Sequence, residues 1–528
     1  MTRPAALRIL ALAAVIGLVA QAFLMDTLLG LNVPLLAGAV LAAAVALRPR
    51  DLAIDRADWW LPPATVLVAL AIAVRADPVL LVLDVVSLAA LLGASVAAIS
   101  GAAVTRRSAA RIVELGFLVL GWVGIGVLRA AAAVNQPRPD AGPGSAAWRL
   151  PAWASPVARG LLLAVPMLVV FAALFSAADV AFERLMSQLF SWNVDLGMLP
   201  LRLAFAFLVA WGVGGLLAVA AGSIGDEPDE PEAPGASLAA RPPLASSPGA
   251  AAAGLPAPAA RAGEPVPILR LGAIEAATIL VAVDGLFGVF VVLQVGYLFG
   301  GQDSLAVTGL PYAQYARSGF FELVWVAFLA GGLLAVVHAI AARRTIALVG
   351  AGIALATLTA AVLVSALIRL RIYQDAYGWT ELRFYVLASI VWLGAGIAIT
   401  IVLLARNRMG YLLHGLAIAA VAVLIGINAV GPSRVIAEEN VARVLNPALV
   451  PPDGQSGLDI QYAAALGDDA VPALVRALPA VGTADRAQLL RWLEMRRRAL
   501  AEPEATAWPA WNLGRELARQ ALAGLPAR

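Results

Sequence analysis

The chain has no cysteine, no lysine and only two histidines among its 528 residues. Without cysteine there are no disulfides, no thiolate metal sites and no thiol nucleophile. His338 and His414 stand in no metal spacing. The patterns HExxH, GxxxxGK[ST] and GxSxG are also missing, which removes the chemistry each would signal. Charged residues make up 13% of the chain and the formal net charge is +3. With no basic patch interleaved with aromatics, that excess is too small to argue for a nucleic-acid partner. No catalytic, cofactor-binding or metal-binding residue is expected, and no cofactor. The exclusive use of arginine as base reads as codon usage in a GC-rich bacterial genome.

What the chain has in quantity is apolar sequence, 61% of it. Apolar runs of about 20 residues recur, each long enough to span a bilayer. Backbone groups in lipid must be satisfied within the segment, so runs of this length are helices; barrel strands are shorter and alternate in polarity. The expected fold class is all-α: a polytopic integral membrane helical bundle of about 12 transmembrane helices, with a small C-terminal α-helical soluble tail domain. The lipid bilayer is its first partner.

Residues 1–134 form an N-terminal five-span region. Ala20-Gln21-Ala22 resembles a signal-peptidase site, but the apolar run continues through Met25, and the first helix is expected to stay. Residues 135–222 supply a connector, two spans near 157–178 and 201–222, and an interfacial helix between them. Residues 223–267 are acidic, then rich in Ala and Pro, too poor in apolar surface to fold, and are expected to be a disordered linker. Five further spans occupy 268–431, and 432–528 show the amphipathic patterns of the helical tail.

Arginine orients the first half. Arg48, Arg50 and Arg56 follow the second span, and Arg106, Arg107 and Arg111 the fourth; the alternate loops hold Asp26 alone, and Arg75 with Asp77. The positive-inside rule then puts the N-terminus in the cytoplasm of a multi-pass bacterial inner (plasma) membrane protein. An even number of crossings puts the tail there too. Arg369, Arg371 and Arg383 agree with that, whereas Arg343, Arg344, Arg406 and Arg408 oppose it.

The candidate site is a polar mouth. Asp284 lies near the middle of a span, where a carboxylate is costly unless it faces protein or water. Gln294 and Tyr297 follow it, then Tyr312, Tyr315 and Arg317 in a polar turn and Glu322 in the next helix. A second loop brings Tyr373, Glu381 and Arg383. If successive spans alternate, both loops share one side. The plainer reading makes the tyrosines and arginines interfacial anchors and the glutamates helix-dipole partners.

YLFGG, YAQYARSGFFELVWVAFL, RIYQDAYGWTELRFY, LGDDAVPALV and WPAWNLGRELA, in that order, resemble a bacterial multi-pass integral membrane family catalogued as domain of unknown function 4173. That resemblance implies a bacterial membrane and this fold class, and no activity. The leading expectation is a non-enzymatic membrane protein, either a transporter-like bundle or a membrane component of an envelope or signalling assembly, with a protein partner reached through the tail. A five-two-five arrangement of spans would invert the last five against the first, a transporter plan. The alternative is a polytopic transferase acting on a lipid-linked substrate, with Asp26 as its carboxylate.

Overall fold

Asp77 and Pro78 show how the helices are set. The Asp77 carboxylate accepts the Leu80 amide at 2.8 Å, and Pro78 takes the first helical position, where no N–H is needed. Thr345 caps the helix Ile346–Tyr377 in the same way, and Gly378, at φ +77°, closes its other end. Thr380 caps the helix that follows.

The computed structural model describes residues 3–49, 54–105, 199–223, 273–299, 320–341, 345–451 and 457–526, with Gly454 and scattered positions at 116–134. In chain order the bundle helices are α1 (Arg3–Leu24), α2 (Asn32–Leu47), α3 (Leu61–Val74), α4 (Pro78–Ile99), α5 (Leu199–Ala218), α6 (Ala273–Phe299), α7 (Phe320–Ile340), α8 (Ile346–Tyr377), α9 (Glu381–Ala405) and α10 (Leu412–Val430). The tail adds α11 (Pro432–Leu445), α12 (Ile460–Ala465), α13 (Val471–Ala477), α14 (Thr483–Ala501), α15 (Pro503–Thr506) and α16 (Leu513–Ala523). Among the described residues there is no β-strand. Among the described residues six segments are long and apolar enough to cross a membrane: Arg3–Leu24, Arg56–Val74, Pro78–Ile99, Ile346–Tyr377, Glu381–Ala405 and Met409–Val430. Asn32–Leu47, Phe205–Ala221, Ala276–Val292 and Val326–His338 are shorter apolar helices. The expected span at 157–178, the interfacial helix and nearly all of the expected linker lie outside the described residues.

Packing gives each helix a direction. Ala6 and Ile9 of α1 share a core with Ala43 and Ala44 late in α2, Val96 and Ile99 late in α4, and Val219 and Ala220 after α5. α1 and α5 are antiparallel, with Gly17 against Ala206 and Ala210, and with Asp26 paired to Arg202 at 2.5 Å. Ala276 and Leu280 of α6 meet Val337 of α7 and Leu348 of α8, while the other ends of these helices meet through Phe290, Leu323 and Leu370. The bundle thus has an arginine end, where Arg3, Arg8, Arg48, Arg56, Arg406 and Arg408 lie, and a tail end, where α8, α9 and α10 meet α11.

Three expectations are corrected by these directions. The N-terminus and the tail lie at opposite ends of the bundle, so the two termini do not share a face. Ser100 lies at the arginine end and Leu199 at the tail end, whereas two crossings between them would return the chain to its starting end. That miscount is why Arg343, Arg344, Arg406 and Arg408 look misplaced in the sequence: Ala341, Thr345, Ala405 and Leu412, which flank them, are all at the arginine end. Finally, α1 and α6 both start at the arginine end, so the last five helices are not inverted relative to the first.

One apolar core runs across residue 431, from Val68, Leu80 and Leu424 in the bundle to Ile436, Val471, Leu474 and Leu489 in the tail. Glycine contacts offer a test of the α1–α5 packing. A Cβ on Gly17 would stand 2.4 Å from the Ala206 carbonyl oxygen, whereas one on Gly38 of α2 meets nothing within 4 Å. Gly17→Ala should cost about 1–3 kcal/mol, and Gly38→Ala should be neutral or stabilising by about 0.5–1 kcal/mol. Thermal unfolding of the two purified variants checks the contrast.

Candidate functional site

A group of buried polar side chains lies where the tail meets the bundle. Asp77 is 2% exposed. One carboxylate oxygen caps α4, and the other accepts the Ser433 amide at 3.1 Å and the Ser433 hydroxyl at 2.5 Å. A single carboxylate therefore sits at two helix N-termini, those of α4 and α11, where the peptide dipoles favour negative charge. Arg75 does the reverse at the end of α10: its guanidinium donates to the carbonyls of Asn428, at 2.5 Å, and Ala429. Gly431 is required beside it. The backbone there has φ +78°, and a Cβ would lie 2.6 Å from the Arg75 guanidinium. Further down α4, the buried Asp84 accepts the Asn428 amide at 2.8 Å.

The tail caps most of the remaining ends. Asn512 starts α16 by accepting the Arg515 amide at 3.1 Å, and its own amide group donates to the carbonyls of Ile72 at 2.9 Å and Arg75 at 2.8 Å, closing α3. Arg515 donates to the Leu29 carbonyl at 2.5 Å, in the turn between α1 and α2. Arg443 caps α8 through the carbonyls of Asp375 and Ala376. Asn440 exchanges two hydrogen bonds with the Trp379 backbone, at 2.7 and 2.8 Å, and the Tyr462 hydroxyl accepts the Glu381 amide at 2.7 Å.

Two buried charges in the tail feel this desolvation. Asp469 accepts the Ala76 amide at 3.2 Å through one oxygen, and its other oxygen has no partner among the described residues. Burial pushes its carboxyl up to about 6, against the pull of that amide and of Arg75. Burial also brings the Arg515 guanidinium down to about 10. The arginine run 496–498 is engaged in ion pairs, Arg496 with Asp468 and both Arg497 and Arg498 with Glu494.

Of the expected polar mouth, Tyr373 and Arg383 are in contact at the tail end, where Glu381 starts α9. The Arg383 guanidinium lies 3.9 Å from the Tyr373 ring centroid and donates to the carbonyls of Tyr377, at 3.1 Å, and Gly378. Phe299, the last residue of α6, and Phe320, the first of α7, lie at this same end. Asp284 is halfway along α6, about 22 Å from Phe299 at 1.5 Å per residue. One of its carboxylate oxygens is buried without a hydrogen bond among the described residues. Gln294, Tyr297 and Glu322 lie on helices whose side chains there are outside the described set, as are Tyr312, Tyr315 and Arg317 altogether. Sequence reasoning missed Asn428, Ser433, Asp469, Asn512 and Arg515. The signal was present in two motifs that carry the family resemblance, since LGDD ends in Asp469 and WNLGRE holds both Asn512 and Arg515. Among the described residues no three His, Asp or Glu side chains gather as a metal ion would need.

Fold and junction together define an all-helical membrane protein whose C-terminal helices close one end of the bundle. The chain belongs to a family described as a domain of unknown function, DUF4153, whose model matches residues 63–477. The number differs from the 4173 expected above; a family of unknown function is common to both. No curated protein and no solved structure matches the chain.

Two outcomes test the junction. Asn512→Ala removes a helix cap and two buried hydrogen bonds, and should loosen the tail by about 1–3 kcal/mol, read as faster proteolysis of residues 432–526 in the reconstituted protein. The Asp469 carboxyl has a folded pKa above its ordinary value of about 4. Its stabilising contribution is therefore fully present below about pH 4 and lost as pH rises through about 6. The tail should resist protease better at pH 5 than at pH 7.5, by about 1 kcal/mol, and Asp469→Asn should flatten that difference. A wild-type tail that loosens on acidification would contradict this.

Proposed function

We propose that the protein is a non-enzymatic component of a bacterial inner membrane, the membrane part of an envelope assembly, with its helical tail on the extracytoplasmic face and turned towards a protein partner. The observation that carries this reading is the position of the tail at the bundle end remote from Arg48, Arg56, Arg406 and Arg408. Under the positive-inside rule the arginine end is cytoplasmic. The short turns at the tail end hold Asp26, and Arg75 with Asp77, and there Asp26 pairs with Arg202 and Asp77 is locked to Ser433.

A platform fits the junction better than a transporter does. A carrier that rocks one half against the other would have to break the bonds of α4 to α10 and α11 made by Asp77, Asp84, Asn428 and Ser433. The polar mouth at Tyr373, Glu381 and Arg383 then belongs to the same extracytoplasmic face and is the second place where a partner would touch the bundle. The transferase alternative relies on Asp26, which is engaged in its ion pair with Arg202.

The absence of native cysteine makes the test direct. Met495 on α14 is 59% exposed, and Arg406 is exposed at the opposite end. In cells with a permeabilised outer membrane, Met495→Cys should react with a membrane-impermeant maleimide, and Arg406→Cys should react only after lysis. The reverse pattern would place the tail in the cytoplasm and end this reading.

A further inference from the structure

The chain between α15 and α16 carries two exposed tryptophans. Trp508 is 62% exposed and Trp511 41%, whereas Pro509 and Ala510 between them are buried. The two indoles are three positions apart across a single 3-10 turn, the spacing at which side chains share a face.

The bundle fixes the height of this turn. The Leu31 amide donates to the Trp511 carbonyl at 3.0 Å, the Leu28 amide to the Glu504 carbonyl at 3.2 Å, and Arg515 to the Leu29 carbonyl at 2.5 Å. Gly30 leaves no slack, since a Cβ there would stand 2.4 Å from the Trp511 carbonyl oxygen. The tryptophans are therefore held level with the turn between α1 and α2, where Leu28 is exposed as well.

The side on which they sit continues a lipid-facing surface. Val15, Leu18, Val19 and Ala22 make an exposed apolar stripe on α1 at helical spacing. Phe23, four residues after Val19, extends that stripe, and the Trp508 ring packs edge-on against Phe23 with ring centroids 5.3 Å apart. Phe23 lies about 30 Å along α1 from Arg3 at 1.5 Å per residue, one thickness of the hydrocarbon core. Trp508 thus stands where hydrocarbon gives way to head groups. An apolar ring with a single N–H donor suits that depth, and tryptophan is enriched there.

We propose that the Trp508–Trp511 turn is a bilayer anchor. Both indoles and Leu28 seat in the head-group region of the tail-side leaflet and hold this edge of the tail against the membrane. The partner is the lipid surface, not a single bound lipid.

With no native cysteine, one introduced thiol reports depth. Trp508→Cys carries a fluorophore in the full chain, reconstituted into phosphatidylcholine nanodiscs whose lipids bear a nitroxide either just below the head group or at the tip of the acyl chain. Val15→Cys, about 12 Å further into the membrane than Phe23 on the same stripe, calibrates the scale. The Trp508 label should lose most of its fluorescence to the shallow nitroxide and far less to the deep one, and the Val15 label should show the opposite order. Three results overturn the proposal. The Trp508 label is quenched by iodide in the water and by neither nitroxide; it is shielded from all three quenchers, as a second copy of the chain over the turn would shield it; or it follows the deep nitroxide as Val15 does. Trp508→Cys removes the ring that packs on Phe23, so Leu28→Cys, with both indoles in place, is read by the same criteria and decides alone should the first variant fail to fold. None of these outcomes depends on which side of the membrane the tail occupies.

Discussion

Every α-helix leaves amides unpaired at one end and carbonyls unpaired at the other, and this protein is organised around disposing of them at the tail end. Inside the bilayer the helices satisfy their own backbones. Where α3, α8 and α10 stop, their last carbonyls meet Asn512, Arg443 and Arg75. Where α4, α9 and α11 begin, their first amides meet Asp77, Thr380 and Asp77 again. Amides and guanidinium groups stand at C-termini and carboxylates at N-termini, which is the sign that helix dipoles favour. The tail is thus less an appendage than the set of caps the bundle lacks, and the apolar core that crosses residue 431 holds those caps in register.

The same arrangement separates charge by role. At the arginine end, Arg48, Arg56, Arg406 and Arg408 lie in the short connections between helices. At the tail end, Arg75, Arg443 and Arg515 are drawn into carbonyl-lined positions and hold structure. A count of arginines by loop mixes the two populations.

Much of the fold was legible in the sequence, because it depends on local physics. Apolar runs located the helices, Asp77-Pro78 marked the start of α4, and Thr380 the start of α9. The junction was not legible, because its partners are remote: Asp84 and Asn428 are 344 positions apart, and Asn512 and Ile72 are 440 apart. Asn428 in the run LIGINAV looks like one tolerated polar residue until α4 is placed beside it. Of the polar mouth, Tyr373 and Arg383 were within reach of reasoning since a short turn joins them, whereas Asp284 depends on helix neighbours that no spacing reveals. The topology failed on parity, which a single crossing is enough to reverse.

The separation of 440 residues between Asn512 and Ile72 also sets an order of assembly. At about 5–20 residues per second, synthesis reaches Asn512 some 20–90 s after Ile72 has been made. Throughout that interval α3 is in the membrane with its tail-side carbonyls uncapped, held only by water and lipid head groups, whereas α4 already has its own cap in Asp77. The last segment made is the one that finishes the first helices. A chain cut short in its tail would therefore display the raw end of α3, a defect legible to proteases at the membrane surface.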